Sequence, residues 1–146
     1  MSNAKQEFEK IRDAVEAADK ALADALAARA KAVTELAGLR ARAADAYFTL
    51  PRDVDVVTRA LERVDGIPKE ATRAVMREVL SACSALIAPA QVVYAGQEGG
   101  LGNLAARTHF GAAAVVRSVE SPEAMLSEIE RGRASYGVLP FESSHD

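Results

Sequence analysis

The chain has 146 residues, enough for one ordinary domain or a small domain with part of another. Its apolar share of 49% can supply a core, aromatics are scarce at 5%, and alanine dominates the first half. The formal net charge of −3 excludes a global basic field for nucleic acid or an anionic membrane, and no apolar run approaches the roughly 20 residues of a membrane span.

One cysteine, Cys83, leaves no internal disulfide framework and fits a reducing, cytoplasmic setting. With it, only His109 and His145 could serve a structural zinc site, and they are far apart, so no metal is expected. Residues 1–90 carry 14 basic and 14 acidic side chains, and residues 91–146 carry 4 and 7. The basic residues of the first part are balanced in number, so only their positions can make a site.

From the N-terminus, residues 1–4 read as a tag remnant or disordered lead, without the apolar region of a signal peptide. Phe8, Ile11, Val15, Ala18, Leu22 and Ala25 then recur in steps of three and four. Leu26, Val33, Leu36 and Leu39 continue the series with no proline. This predicts one helix of roughly forty residues, far beyond the mean length of globular helices. Such a helix cannot bury its apolar face alone, and needs either the rest of the chain or a second copy. Pro51 opens a second helix, with Val56, Val57, Ala60, Leu61 and Val64 on one face and Gly66 as its stop. Pro68 starts a third, with Ala71, Val75, Met76, Val79, Leu80, Cys83 and Ile87 expected to face inward, closed by Pro89.

After Pro89 the rhythm changes. Strands are predicted at Gln91–Tyr94, Ala113–Val119 and Tyr136–Phe141, with helices at Leu101–Phe110 and from Ser121-Pro122 to Arg133. Strands alternating with helices imply a parallel sheet. Three strands and two helices are too few to bury both sheet faces well, so 90–146 reads as the beginning of a domain.

Among the cations, Arg29 and Arg40 are eleven residues apart, within about 20° on one helix face. Arg12 precedes Arg29 by seventeen residues, about 100° round and some 25 Å along the axis. Within one helix the two cannot serve one pocket; an antiparallel second chain could bring them together. Arg29 also sits in an otherwise apolar stretch, LAARAKAV.

Ile11–Arg40, IRDAVEAADKALADALAARAKAVTELAGLR, resembles the first helix of the all-helical AroQ class of chorismate mutases. PRDVDVVTRALERV resembles the second helix of that family and MREVLSACSALI the third. The resemblance implies a mainly α fold: a three-helix domain over 5–89 that forms an intertwined homodimer. It implies chorismate as substrate, prephenate as product, and no cofactor. Arg29 and the partner chain's Arg12 would clamp the two carboxylates of chorismate. Arg40 stands where the family has a lysine beside the ether oxygen, and Arg52 matches the arginine opening the second helix. Thr49, Asp53, Cys83 and Ile87 occupy the remaining substrate-binding positions, where the family has aspartate, glutamate, serine, and glutamine or glutamate. Losing the ether-oxygen donor at Ile87 could cost on the order of 10²–10³ in rate. Shifting the register by one offers Ser84 and Ala88, which restores no amide.

A second resemblance covers 90–146. VVYAGQEGGLGNLAARTHFG is similar to the opening of prephenate dehydratase domains, and SYGVLPFESSHD to a later segment of the same domain. This implies an incomplete α/β segment of periplasmic-binding-protein-like type, with Gly99, Glu142, Ser143 and Ser144 lining a prephenate pocket. The catalytic Thr-Arg-Phe segment of that family is not in this sequence, so no dehydratase activity is expected of these residues. Gly100 and Gly102 replace hydroxyl residues of the family loop. The same stretch spells G-x-G-x-x-A from Gly100, but five residues past the predicted strand, an offset that a dinucleotide-binding loop does not have. A non-catalytic dimerisation or ligand-sensing module is the alternative to an active mutase.

Overall fold

The computed structural model describes residues 2–42 and 53–140, with side chains from 3 to 39 and from 53 to 140. Three helices come first: α1 (Ser2–Arg42), α2 (Asp53–Arg63) and α3 (Lys69–Ala85). A parallel three-stranded α/β segment follows: β1 (Gln91–Ala95), α4 (Leu101–Phe110), β2 (Val115–Val119), α5 (Pro122–Glu130) and β3 (Tyr136–Val138). Every predicted element that lies within the described residues is present, and the molecule is mainly α.

Alanine and the absence of proline carry α1 through 41 residues. Ion pairs one turn apart, Arg12 with Glu16 and Lys31 with Glu35, add a little on its surface. Among the described elements α1 packs against α3 alone. It does so near its C-terminal end, where Val33 is buried. The preceding seam of Phe8, Ile11, Val15, Leu22 and Leu26 lies open, with Phe8 68% exposed and Leu22 66%.

Asp53 and Asp55 stand in the first turn of α2, where the helix dipole favours negative charge. Pro68 sits at the N-cap of α3, immediately before the helix. Its fixed φ of −54° suits that place. The packing of α3 corrects the expected inward set. Leu80 and Cys83 are buried as expected, and Thr72 joins them, but Ala71, Val75 and Ile87 are exposed. Val75 lines a shallow pocket shared with Arg107 and Thr108 of α4. Ile87 falls beyond the end of α3 at Ala85.

In the sheet β1 is central, paired in parallel with β2 on one side and β3 on the other. Alternate residues of β1 serve opposite faces. Val92 packs with Ala106 and Ala114 beneath α4, and Val93 packs with Met125 and Ala134 beneath α5. Both valines are fully buried, whereas Val115 of β2 and Tyr136 of β3 are open. The cover is therefore complete only over the middle strand. Ser121 caps α5, its Oγ accepting from the Ala124 N–H at 3.2 Å, with Pro122 in the first turn. Glu128 of α5 accepts hydrogen bonds from Arg133 and from Arg117 of β2. The Arg133 bond, with the Arg117 contact, holds the Glu128 carboxyl below its ordinary range and raises Arg133 in turn.

The helices and the sheet segment meet along α3 and α4. Gly111 ends α4 with φ +80°, and a Cβ there would lie 2.5 Å from the Ser81 Cβ. The next residue, Ala112, donates its N–H to Glu78 Oε2 at 3.0 Å. Close backbone approach and a side-chain acceptor thus fasten the α4–β2 turn onto α3.

Candidate active site

Arg29 lies half-buried one helical turn before Val33, on the face of α1 that is turned to α3. Its Nη1 is fully enclosed and has no hydrogen-bond partner. A buried guanidinium nitrogen without an acceptor is costly, and an anion is the chemistry that would satisfy it. On the facing helix, Thr72 Oγ1 is also enclosed and unpartnered. Cys83, 2% exposed, lies on the same stripe of α3, eleven residues further on.

The other expected residues are spread more widely. Arg12 is exposed on the free part of α1, 3.1 Å from Asp13 and 3.6 Å from Glu16. Arg40 belongs to α1, three turns after Arg29, with its side chain outside the described residues. Thr49 and Arg52 lie outside the described residues too. Ile87 is 48% exposed after the end of α3. Asp53 lines a cavity of about 620 Å³ between α2, α3 and the sheet segment, whose described lining includes no α1 residue. Ser84 and Ala88, the residues reached by shifting the register by one, line the same cavity. Within one chain, then, Arg29 lies half-buried on α1, Cys83 is buried on α3, and Asp53 lines the cavity.

The sequence reading had Ser84 and Ala88 only as register alternatives and missed Arg73, Arg77 and Ser81, which share with them a stripe facing this cavity. Its signal was available. The spacing is four, four, three and four, a polar stripe about 100° round α3 from the one that holds Thr72 and Cys83.

At the other end of the chain, β1 and β3 run parallel, so Gly99 and the residues that follow β3 leave the same edge of the sheet. With α4 and α5 on opposite faces, that edge is where open α/β sheets take their ligands. Gly99 itself has φ +80° and is exposed in the β1–α4 loop; Glu142, Ser143 and Ser144 lie outside the described residues. The G-x-G-x-x-A stretch begins at the N-cap of α4 and runs into that helix, five residues beyond the last residue of β1.

Residues 11–87, which take in most of α1 with Arg29, and all of α2 and α3, match the family described as chorismate mutase type II. The chain belongs to that family. Chorismate mutase type II helices thus account for just over half of its length, and the curated relatives extend the likeness through the sheet segment. The bifunctional chorismate mutase/prephenate dehydratase of Stutzerimonas stutzeri is 29% identical over 150 residues, covering 99% of this chain and 41% of that protein. The protein of the same name from Neisseria gonorrhoeae is 31% identical over 134 residues, covering 91% of this chain and 36% of its own. That of Pseudomonas aeruginosa is 26% identical over 140 residues. The chain therefore spans about two-fifths of the length of the relatives it matches. No solved structure matches it. Among the described residues no group of side chains could hold a metal ion, and no helix is long and apolar enough to cross a membrane.

Proposed function

We propose that the chain is a chorismate mutase, converting chorismate to prephenate in the cytoplasm, as a homodimer built on α1. Residues 5–89 form the mutase domain, and 90–146 are the opening of a prephenate dehydratase domain. The observation that carries this reading is Arg29: an enclosed guanidinium nitrogen without an acceptor, inside the stretch that matches the family.

The reaction is a unimolecular Claisen rearrangement and needs no acid, base or nucleophile. The protein must hold a dianion in its compact diaxial conformer and stabilise charge developing on the ether oxygen. Arginine suits both tasks, because its guanidinium is always charged and binds carboxylate through two parallel hydrogen bonds. Arg29 takes one carboxylate. Arg12, too far along the same helix to help it, serves the partner's site, and Arg40 faces the ether oxygen. Arg52, Thr49, Asp53, Cys83 and Ile87 are the remaining candidates for the substrate wall. Gly99, Glu142, Ser143 and Ser144 belong to the dehydratase-like pocket, which this stretch of chain only begins.

Arg29→Ala tests the assignment. It should lower the rate of chorismate turnover by on the order of 10²-fold, the loss expected for a charged hydrogen-bonding partner. Turnover at the wild-type rate by this variant would remove Arg29 from the site.

The exposed, apolar Ile87, where the family carries an amide or acid, favours a second reading: a mutase-like module that dimerises and senses its ligand without turnover. Calorimetry with chorismate separates the two. Saturable binding without turnover supports the module, and a gain of turnover in Ile87→Gln would assign the deficit to the missing donor.

A further inference from the structure

The cavity between the helices and the sheet segment has a lining unlike that of the α1–α3 contact. Its volume, about 620 Å³, lies in the range of small-molecule sites. One wall is apolar: Leu80 of α3 and the rings of Phe110 and Tyr136, which stand 4.8 Å apart between centroids. Beside Leu80, the rest of the α3 lining is the polar stripe. Arg73 on that stripe is already held by Glu70. Arg77, half-buried, has neither an ion pair nor a hydrogen bond among the described residues. The hydroxyls of Ser84 and Ser135 stand on the lining without a described partner. Asp53, the one carboxylate among the described lining residues, forms no ion pair with Arg77, and its charge is supported by the N-terminus of α2.

We propose that this cavity is a second ligand site, for a small organic carboxylate with a flat apolar body. The guanidinium of Arg77 takes the carboxylate, and the body lies against Phe110 and Tyr136. A fixed, unpaired guanidinium beside aromatic walls selects this class over a bare inorganic anion, which would leave those walls unused, and over a neutral aromatic, which would leave Arg77 unpaired. The site exists only where both parts of the chain meet, because α3 supplies the cation and α4 and β3 supply the rings. Its occupant therefore also ties the sheet segment to α3. The inference does not depend on mutase activity, since Arg29 and the other described side chains of α1 do not line the cavity.

Titrating the whole chain with benzoate, followed by calorimetry and by melting temperature, tests it, with inorganic sulfate and toluene as controls. Saturable benzoate binding at one site per chain is expected, with a raised melting temperature and weaker responses to both controls. Arg77→Gln should weaken benzoate at least about tenfold, the loss of a charge-assisted hydrogen bond. Ser84→Phe, at an exposed helix position, should fill the cavity and abolish binding without lowering the melting temperature. Arg29→Ala should keep the benzoate binding that Arg77→Gln weakens. Absence of saturable binding, unchanged affinity in Arg77→Gln or Ser84→Phe, or loss of binding in Arg29→Ala would each overturn the assignment. So would sulfate or toluene binding as tightly as benzoate.

Discussion

Two single residues hold opposite kinds of tension. Arg29 keeps an enclosed donor unpaired, a state that binding an anion would relieve. Gly111 relieves its own tension by lacking a side chain: its φ of +80° and the 2.5 Å from a built Cβ to Ser81 leave no room for one. Gly111→Ala should therefore cost about 2–3 kcal/mol, from the left-handed backbone and the forced separation of α3 from the α4–β2 turn. Urea denaturation measures this directly, and a cost within experimental error would mean that the two parts are not held together there. Neither position could be read for this from sequence. Arg29 stood out only as a cation in an alanine-rich stretch, and Gly111 only as the residue after the predicted Leu101–Phe110 helix; enclosure and close approach are properties of what packs opposite.

Among the elements, proline and glycine set what was readable. Pro68, Gly111 and the Ser121-Pro122 pair act locally, so the boundaries of α3, α4 and α5 could be read within a few residues. The choice of buried face on α3 was not local. Its apolar residues allow several stripes, and contact with both α1 and α2 selected the one that buries Thr72 and leaves Val75 open. The site divided for the same reason: spacing placed Arg29 and Arg40 on one face, but the fold carried Asp53 to another cavity. In the sheet segment, Glu128 links α5 to β2 and to the approach to β3 through Arg117 and Arg133. Its carboxyl is held below the ordinary 4.5, chiefly by the Arg133 hydrogen bond. A lowered acid pKa stabilises the fold above the unfolded value and loses that contribution as pH falls through the folded one. Glu128→Gln should thus melt lower than wild type at neutral pH, and the gap should close as the buffer is taken from pH 4.5 into stronger acid. A gap that persists unchanged in acid would show that charge plays no part.

At the scale of the whole molecule, the long seam of α1 is a row of apolar side chains left open, and the reading gives it to a second copy. Leu22 is 66% exposed within one chain, so Leu22→Lys should leave the chain folded while burying a charge in the dimer. Sedimentation should find the wild type at twice the chain mass and this variant at the chain mass, with turnover lost because Arg12 no longer reaches its partner's site. A wild type that sediments as a single chain would leave the seam to another occupant. Above all these stands the claim of catalysis, and the decay of chorismate's ultraviolet absorbance with the purified chain tests it most directly. The account predicts saturable consumption well above the spontaneous rate, with prephenate accumulating as the product. Decay at the spontaneous rate alone would contradict it, leaving a member of the mutase family without the family's reaction.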